Sequence, residues 1–257
     1  MTRIRAGNFG HATARHFSLT GFLLALALLL PWTAAQADNA TLRAGANNHL
    51  PRIATPANAA THRINRALAS ADRAFAGFAD TCHAADRNAF VRRKVAITAR
   101  GPAMVSLVAT DATDCGGAYP NTGTLALVFD LRSGRFVDWT RLLPAGATAT
   151  RADEAGTDAV LGVIVWEPLR RAYLARYRAT PAVAAAVGHD NIETCAGAVA
   201  GDKDFILWPD TGAHALMAQP VGLPHVAAGC EVPVALDATA LKTLGLTPGA
   251  IAAITGS

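Results

Sequence analysis

The stretch CGGAYPNTGTLALVFDLRSGRFVDWTRLL, residues 115–143, decides the fold. Apolar and polar residues alternate through residues 124–131. A tight turn over residues 132–135, which contains Gly134, then leads into residues 136–139. Period-two apolar spacing interrupted by a glycine-containing turn is typical of a β-hairpin. The stretch therefore predicts a hairpin and does not resemble an active site.

Residues 1–37 read as a cleavable secretory signal. Their only charged residues are three arginines, the apolar run 21–30 is too short to span a bilayer, and Ala35-Gln36-Ala37 offers a small-x-small cleavage site. We expect the mature chain to begin at Asp38, with a loose leader over residues 38–49 and a single domain over residues 50–257.

Loss of the signal removes most of the chain's net charge. The full chain has 23 basic and 19 acidic residues. The three arginines of the signal leave 20 basic against 19 acidic residues in the mature protein. This near-neutral balance gives no support for a nucleic-acid partner.

Four cysteines, an even number, lie in the exported part: Cys82, Cys115, Cys195 and Cys230. In an oxidising compartment this favours two disulfides, for which three pairings are possible. We prefer Cys82 with Cys115 and Cys195 with Cys230, since each pair then closes a sequence-local half. Because the sequence lacks CxxC and HxxxH spacings, we expect no metal site, and we expect no cofactor.

The rest of the chain alternates between helical and strand patterns. Three- and four-residue apolar spacing predicts a helix over residues 58–78, and period-two spacing predicts strands over 90–98 and 104–110. The pattern of residues 152–178 predicts a long helix that Pro168 kinks or divides.

The closing part has strand patterns around residues 205–207, 213–219 and 231–236, and a capped short helix after Asp237. This order predicts an α+β fold: a mixed, mainly antiparallel sheet packed against two main helices and stapled by two disulfides.

Several motifs occur together in a recognisable order. LPRI at residues 50–53 precedes Ile64-Asn65, CGGAYP occupies 115–120, FDL at 129–131 precedes Ser133-Gly134, and a closing hairpin covers 207–212 and 224–233. Over most of residues 50–245 the chain resembles the domain of unknown function shared by the anti-sigma factor RsiV and the peptidoglycan deacetylase PdaC.

The resemblance implies an extracytoplasmic domain. In RsiV-like proteins it implies recognition of lysozyme, whereas in PdaC-like proteins the chemistry belongs to a separate deacetylase domain. The chain departs from the family at two places. Tyr119 stands where a histidine is usual, and residues 225–229, HVAAG, replace an aromatic pair before the late glycine.

Two groups of residues resemble catalytic sites. Asp210-Thr211-Gly212-Ala213 matches the aspartic-protease triplet, but a single copy requires a homodimer, and Asp-x-Gly is also ordinary turn chemistry. His189, Asp190 and Glu193 fit either a small acid/base cluster or a polar loop before Cys195, and we favour the loop.

Aromatic residues are the better candidates for function, because Tyr and Trp dominate binding hot spots. Trp166 and Tyr173 have spacing that suits a core. Tyr119 lies in a turn with Asn121 nearby, and Trp139 follows the hairpin, so we expect Tyr119, Asn121 and Trp139 to form a recognition surface.

The sequence thus predicts an exported, non-catalytic binding module that recognises a cell-envelope component, either a lysozyme-like enzyme or peptidoglycan. After signal cleavage no stable membrane insertion is expected. The alternatives are a small periplasmic hydrolase, including a dimeric aspartic-protease-like enzyme that uses Asp210, and a purely structural envelope accessory protein.

Overall fold

The structure, a computed structural model, describes residues 41–45, 49–117, 120–153, 160–201 and 204–256. The predicted signal peptide and Tyr119 lie outside these residues.

The strands of the described residues are β1 (Leu42–Arg43), β2 (Arg52–Ile53), β3 (Phe90–Arg100), β4 (Met104–Asp114), β5 (Asn121–Asp130), β6 (Thr148–Asp153), β7 (Val160–Val165), β8 (Asp204–Asp210), β9 (Ala215–Val221) and β10 (Val234–Asp237). The α-helices are α1 (Ala59–Ala85), α2 (Glu167–Ala179), α3 (Pro181–Val187), α4 (Ile192–Val199), α5 (Ala238–Thr243) and α6 (Pro248–Thr255). None of these helices has the length and apolarity needed to cross a membrane.

The predicted α+β class is confirmed, with antiparallel strand pairing throughout the described sheets. The strands form three sheets in the orders β1-β2, β3-β4-β5 and β10-β9-β8-β7-β6. The larger two sheets are joined by hydrogen bonds from the Thr211 backbone amide to the Thr98 carbonyl (2.8 Å) and from Gln219 to the Thr124 hydroxyl (3.1 Å).

Helix α1 covers the three-stranded sheet and encloses the smaller core. It starts where the sequence predicts, because Asn58 and Thr61 form a reciprocal capping box. It continues seven residues past the predicted end at Phe78. Its buried stripe, which includes Ile64 and Leu68, packs against β4 and β5.

Part of the predicted loose leader belongs to this core. Leu42 is buried and pairs with Ile53 across the β1-β2 ribbon. Asn65 on α1 accepts a hydrogen bond from the Ile53 amide (2.8 Å) and donates one to the Ile53 carbonyl (2.9 Å). These contacts fix the ribbon to α1.

The larger core lies between the five-stranded sheet and helices α2, α4, α5 and α6, and it also includes Met104 and Val108 of β4 and Val128 of β5. Trp166 and Tyr173 are buried there, as predicted. The Tyr173 hydroxyl donates to the Val232 carbonyl (2.7 Å) and the Tyr177 hydroxyl to the Cys230 carbonyl (3.3 Å). The two phenols therefore fix the segment before β10.

The prediction of one long helix over residues 152–178 is wrong in its first half. Residues 160–165, VLGVIV, form strand β7, and α2 begins only at Glu167. β-Branched residues pack well in a sheet, and here that tertiary environment prevails over the helical spacing. Pro168 does not kink a helix. It lies in the first turn of α2, where a proline removes no needed donor.

The hairpin prediction holds for its first strand and its turn. After β5, the second arm is reduced to a single antiparallel bridge between Phe136 and Phe129 and a hydrogen bond from the Val137 amide to the Val128 carbonyl (2.9 Å). Asp138 then caps a 3-10 turn over Trp139–Arg141 and ends the pairing.

Both preferred disulfides are present. Cys82 at the end of α1 is bonded to Cys115 after β4, and Cys195 in α4 is bonded to Cys230 before β10. Their sequence separations are 33 and 35 residues. Each disulfide therefore lies within one half of the chain.

Candidate functional site

A groove of about 560 Å³ runs between α1 and the turn that follows β5. We name it the arginine groove, after the four arginines in its lining: Arg63, Arg66, Arg73 and Arg135. Its volume falls in the range that holds small-molecule ligands.

The helical side of the groove follows from residue spacing. Arg63, Arg66, Ser70 and Arg73 recur at intervals of three or four residues, which places them on one face of α1. The adjacent stripe of α1, with Ile64 and Leu68, is buried. The arginines therefore lie on one face of α1, next to its buried stripe.

Two stacked phenylalanines form the apolar part of the lining. Phe129, on β5, is fully buried, and Phe136 packs on it with ring centroids 4.5 Å apart. The bridge between these residues holds both rings in place. The groove thus combines guanidinium groups with an aromatic surface.

The turn over residues 131–135 is held tightly against α1. Gly134 has φ +66°, and a Cβ atom there would lie 2.2 Å from the Ala60 carbonyl oxygen. Arg63 donates a hydrogen bond to the Ser133 carbonyl, and the Asp130 carboxylate accepts one from the Ser133 amide (2.6 Å). These contacts fix the wall that carries Arg135.

The charge of the groove is unbalanced. No carboxylate of the described residues belongs to its lining. Within the part of the chain that the structure describes, the side chains of Arg66, Arg73 and Arg135 make no hydrogen bond or ion pair. Three exposed guanidinium groups therefore remain available to an anion, and guanidinium binds carboxylate or phosphate through paired hydrogen bonds.

A second group of charges, buried in the smaller core, is balanced instead. Arg93 donates two hydrogen bonds to the Asp111 carboxylate (2.7 and 2.6 Å), and its guanidinium carbon lies 3.7 Å from the centroid of Phe75. Asp72 accepts from the Leu50 amide (3.0 Å) and from Arg52 (2.6 Å). This network joins β2, α1 and β3, so we assign it a structural role.

Of the three residues predicted to form the recognition surface, Asn121 and Trp139 do not line the groove. Tyr119 lies outside the described residues. Trp139 is only 4% exposed and packs in the larger core. The expectation that its ring lies at the surface is therefore wrong. Asn121 is exposed, but it begins β5. Phe129, which lines the groove, follows Asn121 by eight residues. At about 3.3 Å per residue, Asn121 is therefore about 26 Å along the strand from the groove.

The residues that resembled catalytic sites have other partners. The Asp210 carboxylate accepts a hydrogen bond from the Ala213 amide (3.0 Å), which is the predicted turn chemistry. Glu193 pairs with Arg178 (2.9 Å), and this contact lowers the pKa of the Glu193 carboxyl. The residues before Cys195 form a 3-10 turn and the start of α4, where we expected a loop.

The sequence predictions did not include the arginine groove. The spacing of Arg63, Arg66 and Arg73 was visible in the sequence, but a run of exposed arginines on a helix usually marks only a solvated face. The contribution of Arg135 and the two phenylalanines depends on how the turn packs against α1, which local patterns do not reveal.

No protein-family profile matches the chain, and no curated protein is significantly similar to it. Among solved structures, the chain is similar to a DUF3298 family protein from Pseudomonas aeruginosa PAO1, with 14% sequence identity and a TM-score of 0.40 over 76% of this chain and 72% of that one. At that level the similarity assigns neither family nor function.

Proposed function

We propose that this protein is an exported, non-catalytic binding module that recognises a cell-envelope component. One observation carries the proposal: the arginine groove offers guanidinium groups and an aromatic surface but no acid/base pair. Among the described residues, its lining contains no aspartate, glutamate, histidine or cysteine, and Ser70 supplies the only side-chain hydroxyl. Such a lining holds a ligand without a group suited to moving protons at neutral pH.

Two further features support a location outside the cytoplasm. The two disulfides are typical of proteins that fold in an oxidising compartment. The basic, apolar and small-residue segments of residues 1–37 have the order of a secretory signal. We therefore propose that the protein acts in the periplasm or outside the cell.

The resemblance of residues 50–245 to the RsiV/PdaC-like domain supports the choice of ligand class. We propose membership of that family, and with it a ligand that is either a lysozyme-like enzyme or a fragment of peptidoglycan. The deacetylase chemistry of PdaC-like proteins belongs to a separate domain, so a binding role fits this region better than deacetylation.

Calorimetric titration of the exported, purified protein tests the proposal. A soluble disaccharide-tetrapeptide muropeptide and hen lysozyme serve as the two probes, at low ionic strength. We expect saturable binding of one of them. If neither probe binds, the proposal is wrong, and hydrolysis of a panel of ester, amide and glycoside substrates would identify the protein as an enzyme instead.

A further inference from the structure

We infer that the arginine groove is the ligand site of this module, and that it takes the carboxylate-bearing stem peptide of peptidoglycan rather than a lysozyme-like protein. This inference rests on the proposed function and chooses between its two ligand classes.

Charge complementarity is the first argument. Within the part of the chain that the structure describes, four arginines and no carboxylate line the groove, and three of these arginine side chains have no partner. A stem peptide carries several free carboxylates, which guanidinium groups bind in a planar, bidentate way. A basic protein such as hen lysozyme would instead bring like charge to the groove, which disfavours association.

The length of the groove is the second argument. Arg66 and Arg73, the two α1 arginines without a partner among the described residues, are seven residues apart, so their Cα atoms are separated by about 10.5 Å along the helix axis. An extended peptide covers that distance with about three residues. The arginines are therefore spaced for carboxylates distributed along a short peptide, whereas a single phosphate group would need them clustered at one point.

The aromatic surface is the third argument. The partly exposed ring of Phe136, stacked on the buried Phe129, gives the groove an apolar part beside the charges. The alanine methyl groups of a stem peptide can pack there while its carboxylates reach the arginines. An inorganic anion has no group that would use this surface.

The test uses a double variant, Arg66→Gln with Arg73→Gln, because neither side chain supports the fold through a hydrogen bond among the described residues. Arg63 is left intact, since it holds the turn through the Ser133 carbonyl. The matched control is Arg87→Gln with Arg100→Gln. It removes the same net charge from exposed positions outside the groove lining. Thermal melts should show both variants folded, and Arg135→Gln supplies a second groove variant from the opposite wall.

We expect the disaccharide-tetrapeptide muropeptide to bind the parent and the control alike, and the double variant roughly tenfold more weakly, the combined loss of two exposed ion pairs. A muropeptide whose carboxylates are amidated should bind the parent as weakly as the unmodified muropeptide binds the double variant. Binding should also weaken as salt is raised towards 0.15 M, because exposed charges are screened.

Four results would overturn the inference. Equal muropeptide affinity in parent and double variant would move the site elsewhere, and the proposed function would stand. Binding of hen lysozyme without muropeptide would select the other ligand class. Binding of phosphatidylglycerol vesicles alone, lost in the double variant, would identify a lipid-phosphate site. Absence of binding to all probes would remove the proposed function as well.

Discussion

Gly134 determines how closely the turn of the arginine groove approaches α1. Its φ of +66° is in the left-handed region, and its Cα faces the backbone of Ala60. Two demands therefore coincide at one residue: a backbone conformation that side chains disfavour and a contact that leaves no space for a Cβ atom. The turn pattern in the sequence indicates the first demand. The second depends on the packing of α1.

We predict that Gly134→Val lowers the free energy of unfolding by about 2 to 6 kcal/mol, since left-handed strain and overpacking each cost about 1 to 3 kcal/mol. Urea unfolding followed by tryptophan fluorescence measures the change. Gly77→Ala is the control, because Gly77 lies exposed in α1 and an added Cβ would have no atom within 4 Å. There we expect a gain of about 0.5 to 1 kcal/mol. An unchanged urea midpoint for Gly134→Val would show that the turn does not pack as described.

At the scale of elements, Asp237 connects three of them. It ends β10, caps α5 by accepting from the Ala240 amide (2.8 Å), and pairs with Arg176 on α2 (2.6 Å). The sequence predicts the capped helix start. It does not predict the contact with Arg176, because the long-helix prediction for residues 152–178 gives no position for that arginine relative to β10.

These contacts make the contribution of Asp237 depend on pH. The Ala240 amide, and then Arg176, hold the pKa of the Asp237 carboxyl below its ordinary value. The folded state therefore favours the charged form. Its stabilisation is present above the pKa of the unfolded chain, about 3.9, and is lost as the pH falls through the lower folded-state pKa.

We predict that Asp237→Ala costs about 1 kcal/mol at pH 7, the usual effect of removing a helix cap. The difference between parent and variant should shrink as the pH is lowered from about 4 towards 2. Urea unfolding of both proteins across this range measures it. A difference that stays constant down to pH 2 would show that the carboxylate charge has no part in the cap.

At the scale of the whole molecule, the two disulfides stabilise separate regions. Cys82–Cys115 closes a loop that contains β3 and β4 and fixes it to the last turn of α1, and Cys195–Cys230 fixes α4 to the segment before β10. Closing a loop of about 35 residues lowers the conformational entropy of the unfolded chain. The folded state is thereby stabilised by roughly 3 to 4 kcal/mol relative to the unfolded state.

We predict that replacing both cysteines of either pair by serine lowers the free energy of unfolding by about 3 to 4 kcal/mol. The parent should show no free thiol when alkylated under denaturing, non-reducing conditions, and intact mass provides that measurement. Each double variant should retain one disulfide. Labelling of any cysteine in the parent would contradict the pairing.

The sequence predicts the α+β class, the start of α1 and the cysteine pairing. It also predicts strands of both larger sheets before and after residues 152–178, the region where it wrongly predicts one long helix. These features depend on local periodicity, capping residues and the order of cysteines. It does not predict β6, β7 or the arginine groove. Strand β7 is a β-branched run whose state is decided by its neighbours, and the groove is formed by residues about 60 to 70 positions apart in the chain.

The order of the cysteines also bears on how the protein matures. Each disulfide joins cysteines that are consecutive in the chain: the first with the second, and the third with the fourth. On the export route that we propose, an oxidase that links thiols in the order in which they emerge from a translocation channel would therefore produce the native pairs directly. Neither bond has to be broken and reformed, so maturation of this chain should need an oxidant but no disulfide isomerase.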